Sequence, residues 1–526
     1  MTGDRLMNVA MPLARQPLVE ELIPAPDPLA CCERLAALPY RIFLDSAADA
    51  SRLGRYSFLC ADPAILVLSK GTTTECIDLR AGRPIPVEGH ALDAIRALLA
   101  PHAATSVVGV PPFQGGAAGY IGYEWGSVLE RLPAPLYDDL AIPDVMLGVY
   151  DWVISWDHAA GRAWIVSTGL PDEGSARERR ASERLTTVKA TLANEGDGDA
   201  SAPVSLPHRS AARTNGGFPG APSYPVLGIE RGAGIELRSS FTHEGYLGAV
   251  RRVREYILAG DIFQANLSQR LTAPLREPPW ALYRRLRALN PAPFAAWLDF
   301  GDFVIASASP ERFLRVSDRQ VEARPIKGTR PRGYGPEHDA ALGRALVESE
   351  KDRAENLMIV DLLRNDLSRV CAPGTVRVPE LFALEHHATV HHLVSTVIGE
   401  LAPGADAVDL LCAAFPGGSI TGAPKVRAME IIAELEPSSR GVYCGAIGYL
   451  SVTGALDTSI VIRTFLALGD RVYFPVGGGI VADSDPEDEY RETLAKARAL
   501  IEALAVRGPP AVVVSATALG ETVSGR

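Results

Sequence analysis

The stretch Pro325-Ile326-Lys327-Gly328-Thr329-Arg330 lies past the middle of a 526-residue chain, directly after an apolar, strand-like run over residues 303–314. Lys327 stands between Ile326 and Gly328 and is closed in by Pro325, a poor setting for a solvated surface charge. A lysine amine pushed toward neutrality by burial becomes a nucleophile and opens difficult substitutions through covalent intermediates. A turn lysine after a strand is the plain alternative. The sequence on either side decides between them.

Upstream, Thr242 precedes a helix with apolar positions at Tyr246, Val250, Val253 and Ile257, stopped by Gly260. Residues 261–270, with Gln264, alternate as a strand. Residues 297–300 and 303–308 form paired strands around Gly301-Asp302, and Ser309-Pro310-Glu311-Arg312-Phe313 follows at once. Downstream, a long helix is predicted over residues 340–370. On it Glu348, Asp352 and Glu355 share a face. Strands are predicted at 443–451, 460–467 and 472–476, with Arg463 a single arginine in an apolar strand that requires a buried anionic partner. A last helix spans 486–505, capped by Asp485 with Pro486 at its first position. Glu489, Glu492 and Lys496 point away from its apolar stripe of Tyr490, Leu494, Ala497, Ile501 and Leu504.

Solvated acidic faces would explain these carboxylates. One glutamate from each helix holding Mg²⁺ would also explain them, because magnesium takes hard oxygen ligands and commonly only one or two carboxylates. Phe415-Pro416-Gly417-Gly418-Ser419-Ile420-Thr421-Gly422-Ala423-Pro424-Lys425 is a glycine-rich turn opening a helix, with Val426, Met429, Ile432 and Leu435 on one side. Such a turn offers free N–H groups to an anion. Ala423 stands where the lysine of a phosphate-binding loop belongs, so a carboxylate is the expected anion. Gly477-Gly478-Gly479 reads as a second glycine turn after a strand. His386-His387 and His391-His392 are read as donors or acid–base groups rather than metal ligands, since adjacent side chains on a strand point to opposite faces.

The N-terminal part is sparser. Residues 1–20 read as a loose start. Arg41-Ile42-Phe43-Leu44-Asp45-Ser46 and Arg55-Tyr56-Ser57-Phe58-Leu59 read as antiparallel strands. Four glycines among residues 115–122 suggest close backbone packing or a bound small molecule. Further strands are expected at 145–154 and 162–167, then a polar, exposed helix at 175–194. Residues 195–234, rich in Gly, Pro, Ser and Ala, read as a linker. This divides the chain into a start (1–20), an N-terminal region (21–170), a polar helix and linker (171–237), a catalytic domain (238–506) and a tail (507–526).

Composition bounds the function. Hydrophobic residues make up 47% and charged residues 22%, as in a soluble globular protein. The net charge of −11 argues against nucleic acid and anionic membranes as partners, and an anionic substrate needs a local positive site or a bound cation. Seven cysteines without metal-ligand spacing fit reduced thiols in the cytoplasm. No apolar run reaches the roughly 18 residues of a membrane span, and residues 1–17 lack the apolar core of a signal peptide.

Taken together, the chain resembles the chorismate-utilising enzymes, which include component I of anthranilate synthase, component I of aminodeoxychorismate synthase, and isochorismate and salicylate synthases. The stretches that carry the resemblance are Phe263-Gln-Ala-Asn-Leu-Ser-Gln269, Ser309-Pro-Glu-Arg312, Arg324-Pro-Ile-Lys-Gly-Thr329, Lys351-Asp-Arg-Ala-Glu-Asn356, Asp361-Leu-Leu-Arg-Asn-Asp366, His392-Leu-Val-Ser395, Pro416 to Lys425, and Gly477-Gly-Gly-Ile480. The resemblance is dense over residues 240–503 and thinner over 20–170. It implies an α+β fold, two packed antiparallel sheets in a β-sandwich core surrounded by helices, with both halves of the chain in that core.

Two positions sort the members. Isochorismate and salicylate synthases carry a water-activating lysine where this chain has Gln264. Anthranilate synthases typically carry alanine at the centre of Pro-Ile-x-Gly-Thr, and aminodeoxychorismate synthases carry lysine, as here. The resemblance therefore implies conversion of chorismate and ammonia to 4-amino-4-deoxychorismate, toward 4-aminobenzoate and folate. Lys327 is the implied nucleophile, Glu311 the general acid and His392 a substrate-orienting group. Glu355 and Glu492, supported by Asp352 and Glu489, are the implied Mg²⁺ ligands. Arg463, Tyr449, Thr421, Lys496, Gln264, Gly477, Gly478 and Gly479 are the implied substrate-binding residues. No cysteine sits in a Gly-x-Cys-x-Gly glutaminase turn, so a separate glutamine amidotransferase subunit is the implied ammonia source. Asp45, Ser46, Arg55 and Tyr56 match the region where members bind tryptophan, although Asp45 is one methylene shorter than the usual glutamate. Anthranilate synthase component I is the alternative enzyme, and a non-catalytic scaffold for the amidotransferase is the alternative of another class.

Overall fold

The computed structural model describes residues 16–47, 53–194, 220–227, 235–386 and 390–505. The expected linker lies mostly outside these residues, as do the expected tail and His387.

Two antiparallel sheets form the core, and each contains strands from both halves of the chain. In the first sheet, Ile42–Asp45 pairs with Phe294–Asp299. In the second, Gly116–Ile121 pairs with Ala446–Ser451. The expected α+β sandwich with helices outside is the observed architecture, and neither half could complete its sheets alone. Backbone contact at the second seam is close. A Cβ at Gly116 would meet the Leu450 carbonyl across the seam at 2.3 Å, one at Gly119 would meet the Met146 carbonyl on the strand at its other side, and one at Gly122 would lie 2.9 Å from the Asp144 and Gly441 carbonyl oxygens. The glycines of 115–122 therefore serve packing.

Several apolar runs that look like one strand are two. Residues 145–154 divide into Val145–Tyr150 and Trp152–Asp157, which belong to different sheets. The run 303–314 divides in the same way into Phe303–Ser309 and Arg312–Ser317. So does 460–467, where Leu456–Ile460 lies in one sheet and Thr464–Leu468 in the other. Periodicity cannot reveal this, because the chain stays apolar while it crosses between two buried layers. Two of the crossings carry functional candidates. Glu311 follows Pro310 at one corner. Arg463 occupies another with φ +54, a conformation uncommon outside glycine, and is not within a strand.

Other boundaries also move. Leu18–Leu22 pairs with Arg162–Ser167, so the expected loose start already contains an edge strand. The helix expected over 340–370 is two helices, Pro336–Glu348 and Glu350–Ser368, separated at Ser349, whose hydroxyl accepts the Asp352 N–H. Glu348 is therefore not on the face shared by Asp352 and Glu355. The polar helix Gly174–Ala193 is present and buries Ala181, Val188 and Leu192 along one side. Gly477–Gly479 is no turn. It lies inside strand Arg471–Ile480, opposite Ser268, Leu267 and Asn266. In the helix after the Pro416–Lys425 stretch, Ala428, Met429, Ile431 and Ile432 are buried, whereas Val426 is exposed.

The closing helix Pro486–Leu504 begins as its sequence predicts, with Asp485 accepting the N–H groups of Glu487 and Asp488. Its buried face includes Tyr490, Thr493, Ala497, Leu500 and Leu504, which turns Leu494 and Ile501 to the margin of the stripe. Glu489 is buried as well, because the helix packs on the glycine strand along a second face. None of the seven cysteines is paired, and six are buried. Among the described residues no helix is long and apolar enough to cross a membrane.

Candidate active site

Strand Ile326–Pro331 carries Lys327. Its register against Val390–Glu400 breaks between Ile326 and Thr329, and Gly328 takes φ +79. A bulge of this kind re-aims a side chain. Here it sends the Lys327 amine into the sandwich, where Nζ donates to the Ser419 carbonyl at 3.2 Å. A Cβ placed on Gly479 would lie 3.7 Å from that Nζ and would overlap the Gln264 amide nitrogen. The glycine therefore leaves the space in which the lysine and Gln264 meet. Burial holds the Lys327 amine below the usual lysine range, although Glu355 and Glu311 pull the other way.

Glu311 is 6% exposed. Burial pushes its carboxyl up to about 7, and the Ser419 hydroxyl, the Lys327 ammonium and the Ile326 N–H only partly offset this. Near neutral pH this corner thus holds a carboxyl able to keep its proton beside an amine that is easier than usual to deprotonate.

The acidic faces close the other side. A Cβ on Gly478 would be 3.1 Å from Glu489, 3.6 Å from Glu492 and 3.7 Å from the Lys496 ammonium. Glu492 pairs with Lys496 at 2.7 Å, and Lys496 also donates to the Gly477 carbonyl at 2.9 Å. Burial opposes the Glu492 charge, but Lys496, Lys351 and Lys327 bring its carboxyl below the usual range. Glu355 and Glu489 are shifted upward, first by burial and further by the neighbouring charge of Glu492. Glu355 has no hydrogen-bond or ion-pair partner among the described residues, while Ser484 donates to Glu489 at 2.6 Å. Glu489 and Glu492 face the same glycine, Glu355 feels the charge of Glu492, and carboxylate oxygens are the hard ligands a divalent cation takes. Glu355, Glu489 and Glu492 are the residues that could hold one. Asp352 is paired with Arg330 at 2.8 Å, which fixes the lysine-bearing strand to the acidic helix.

Arg463 reaches the same place from its corner and donates to the Lys496 carbonyl at 2.6 Å. Burial works against its charge, and Glu492 supports it. Beyond Tyr473 the glycine strand loses its pairing with Thr464–Leu468, which leaves that edge open beside Arg463. Thr421 is fully buried, its hydroxyl donates to the Gly417 carbonyl at 3.0 Å, and its carbonyl accepts the Asn266 N–H at 2.7 Å. His392 accompanies Lys327 on the neighbouring strand, with Nδ1 3.0 Å from the Thr329 hydroxyl.

Tyr449 does not join this group. Strand alternation turns its ring toward a separate cavity of about 410 Å³, where it stacks on Phe113 at 4.6 Å. Asp45, Ser46, Arg55 and Tyr56 line that same cavity, as the sequence grouped them. The Asp45 carboxylate already accepts from Arg287 and from the Tyr283 hydroxyl at 3.0 Å, and Arg55 is held by Asp157 at 2.7 Å.

Ser419 and Arg440 escaped sequence reasoning. Ser419 stood in a quoted motif, but nothing local marked its carbonyl as the partner of Lys327. Arg440 is buried with Glu436 at 2.7 Å and donates to the Ile420 and Asn266 carbonyls, binding the Thr421 turn to the Gln264 strand. Their four-residue spacing was the available signal.

The glycines separate packing from chemistry. Gly479→Ala displaces the flexible end of Gln264 and narrows the space beside Lys327. We expect kcat/KM to fall about 10²-fold with stability changed by less than about 1 kcal/mol. Gly477→Ala meets the Leu267 carbonyl at 2.6 Å and should cost about 1–3 kcal/mol. Steady-state kinetics together with urea unfolding of both variants checks the contrast.

A buried lysine held toward its neutral form, a carboxyl raised by burial, three glutamates and an arginine beside an unpaired stretch of strand thus lie around the glycine strand. The chain matches the family described as chorismate binding enzyme over residues 64–502 and belongs to it. It is 41% identical over 465 residues to anthranilate synthase component 1 of Cereibacter sphaeroides, covering 87% of each chain. It is 38% identical over 475 residues to aminodeoxychorismate synthase component 1 of Klebsiella aerogenes, covering 89% of this chain and 95% of that one. The crystal structure of anthranilate synthase component I from Streptococcus pneumoniae superposes with a TM-score of 0.68 at 32% identity, covering 84% of this chain and 91% of that one. The Escherichia coli isochorismate synthase MenF, at 18% identity and a TM-score of 0.65 over 94% of this chain and 96% of that one, shares the fold.

Proposed function

We propose that this enzyme is an aminodeoxychorismate synthase component I, which converts chorismate and ammonia to 4-amino-4-deoxychorismate and water for 4-aminobenzoate and folate synthesis in the cytoplasm. The observation that carries the reading is Lys327. Its amine lies beside the glycine strand, 3.7 Å from where a Gly479 Cβ would stand, shifted toward the neutral form, at the position where the resemblance gives anthranilate synthases an alanine.

Arg463 and Lys496, with backbone groups of Gly477–Gly479, hold the substrate carboxylates. Glu355 and Glu492, with Glu489 in support, would hold Mg²⁺, which would supply positive charge for the ring carboxylate. Asp352, paired with Arg330, supports the acidic helix rather than the cation. Lys327 attacks ring carbon 2 as neutral amine, the ring double bonds shift, and the carbon 4 hydroxyl departs as water with the Glu311 proton. Ammonia then attacks carbon 4, the electrons return, and Lys327 leaves carbon 2. Gln264 in place of a lysine leaves no base to activate water for hydroxylation. His392 orients the substrate. Tyr449 faces away from the substrate, and tryptophan is the ligand proposed for the cavity it lines.

Ammonia is supplied by a glutamine amidotransferase subunit, a reading supported by the component naming of the relatives and by the missing glutaminase cysteine. Purified chain with chorismate, Mg²⁺ and ammonium should give no anthranilate fluorescence and no pyruvate until aminodeoxychorismate lyase is added. 4-Aminobenzoate should then form, and glutamine should not replace ammonium. Anthranilate and pyruvate without the lyase would establish the second reading, anthranilate synthase component I, which the first relative above favours.

A further inference from the structure

The hairpin beside the lysine-bearing strand holds a second cluster. His386 ends strand Arg377–His386 and stands opposite His391 on Val390–Glu400. Their Nδ1 atoms are 2.7 Å apart. Behind His391, Nε2 lies 2.9 Å from an Asp339 oxygen. Adjacent histidines on a strand do diverge. His391 turns to this cluster and His392 to Thr329, but the second imidazole arrives across the hairpin, which sequence spacing does not disclose. Among the described residues this is the one place where three side chains of the metal-ligating types bring donor atoms within 4.8 Å of one another.

The proton positions follow from the partners. An ionised Asp339 can only accept, so His391 Nε2 carries the hydrogen, and the lone pair of a neutral His391 sits on Nδ1, facing His386. Asp339 is itself fixed by two Arg332 contacts of 2.7 Å and by the Gly333 N–H at 2.8 Å. A carboxylate that fixes the tautomer and ring orientation of a histidine is the usual support behind a metal-bound imidazole. His391 is fully buried, whereas His386 is exposed, so a cation can enter from solvent and keep water as its remaining ligands.

We propose that His386 and His391, oriented by Asp339, form a binding site for a borderline transition-metal cation such as Zn²⁺, separate from the glutamate cluster. Two imidazole nitrogens on one tetrahedral cation sit about 3.3 Å apart, so the rings need to part by only about 0.6 Å. His386 takes its other tautomer, moving its hydrogen from Nδ1 to Nε2, and no net proton is released. Imidazole pairs select Zn²⁺ or Co²⁺ over Mg²⁺. An occupied site pins the hairpin at Arg330 and Thr329, which pair with His391 and His392 one turn of the strand pleat beyond Lys327.

The test uses the full chain, stripped with chelator and returned to excess Mg²⁺. Co²⁺ binding is followed by its visible absorption and Zn²⁺ binding by calorimetry. One equivalent of either ion should bind. Asp339→Asn should weaken it about 10- to 100-fold, His386→Gln by at least as much, and the double variant Glu355→Gln/Glu492→Gln should leave it unchanged. His386 is exposed, so its replacement tests the site without disturbing the core, and circular dichroism verifies the fold. Unchanged affinity in His386→Gln, loss of the equivalent in the double glutamine variant, or no binding below millimolar Co²⁺ would each overturn the proposal.

Discussion

Chorismate added to the enzyme without ammonia is expected to leave a covalent adduct on Lys327, heavier than the free chain by chorismate minus one water. The expectation follows from the balance of forces on the amine. Glu355 and Glu311 favour the ammonium, yet burial outweighs them and the pKa is lowered. The amine is also aimed, because the Ser419 carbonyl holds it at 3.2 Å and Gly479 leaves the space ahead of it open. Adding ammonia should discharge the adduct as 4-amino-4-deoxychorismate. Lys327→Ala should form no adduct and lose roughly 10³-fold or more in rate, the scale seen when a nucleophile is removed. Intact-mass measurement and peptide mapping decide the matter. An adduct confined to another residue, or an alanine variant within tenfold of the parent, would remove the covalent step.

Local sequence told much about this site because its parts are local signals. The Asp485 cap and Pro486 specify the start of the last helix, and the spacing of Glu489, Glu492 and Lys496 places all three on one face, where they are found. What escaped was long-range. Glu311 and Arg463 sit at corners where the chain passes from one sheet to the other, and an apolar run reads the same whether it continues or crosses. Gly477–Gly479 read as a turn because glycine usually marks one, whereas here the missing side chains leave room for Lys327, Gln264 and three charged groups of the last helix. Tyr449 matched a substrate-binding position, but its ring is turned to the cavity that Asp45, Ser46, Arg55 and Tyr56 line. Asp45 could be grouped with Ser46, Arg55 and Tyr56 from sequence. Its pairing with Arg287, 242 residues away, could not.

Glu311 should govern the alkaline side of the same reaction. The departing hydroxyl needs a proton, and a carboxyl pushed up to about 7 by burial still holds one near neutrality. That proton is present below about pH 7 and lost above it, so the fraction of competent acid falls as pH rises. Lys327 works in the opposite sense, since its nucleophilic form increases with pH toward its lowered pKa. Their product is a bell, whichever pKa is higher, and its alkaline decline belongs to the requirement for a protonated Glu311. Glu311→Gln keeps the shape but cannot give up a proton. The rate of adduct formation, measured without ammonia so that ammonia's own ionisation plays no part, should fall about 10²- to 10⁴-fold. Its profile should then rise with pH and show no alkaline decline. A glutamine variant that is slow but keeps the full bell would place the acid on another residue. A variant of unchanged rate would mean that the hydroxyl leaves without help from this corner. Glu311→Asp separates position from charge, because it keeps an acid but withdraws it by one methylene. Part of the rate should return, together with the alkaline limb.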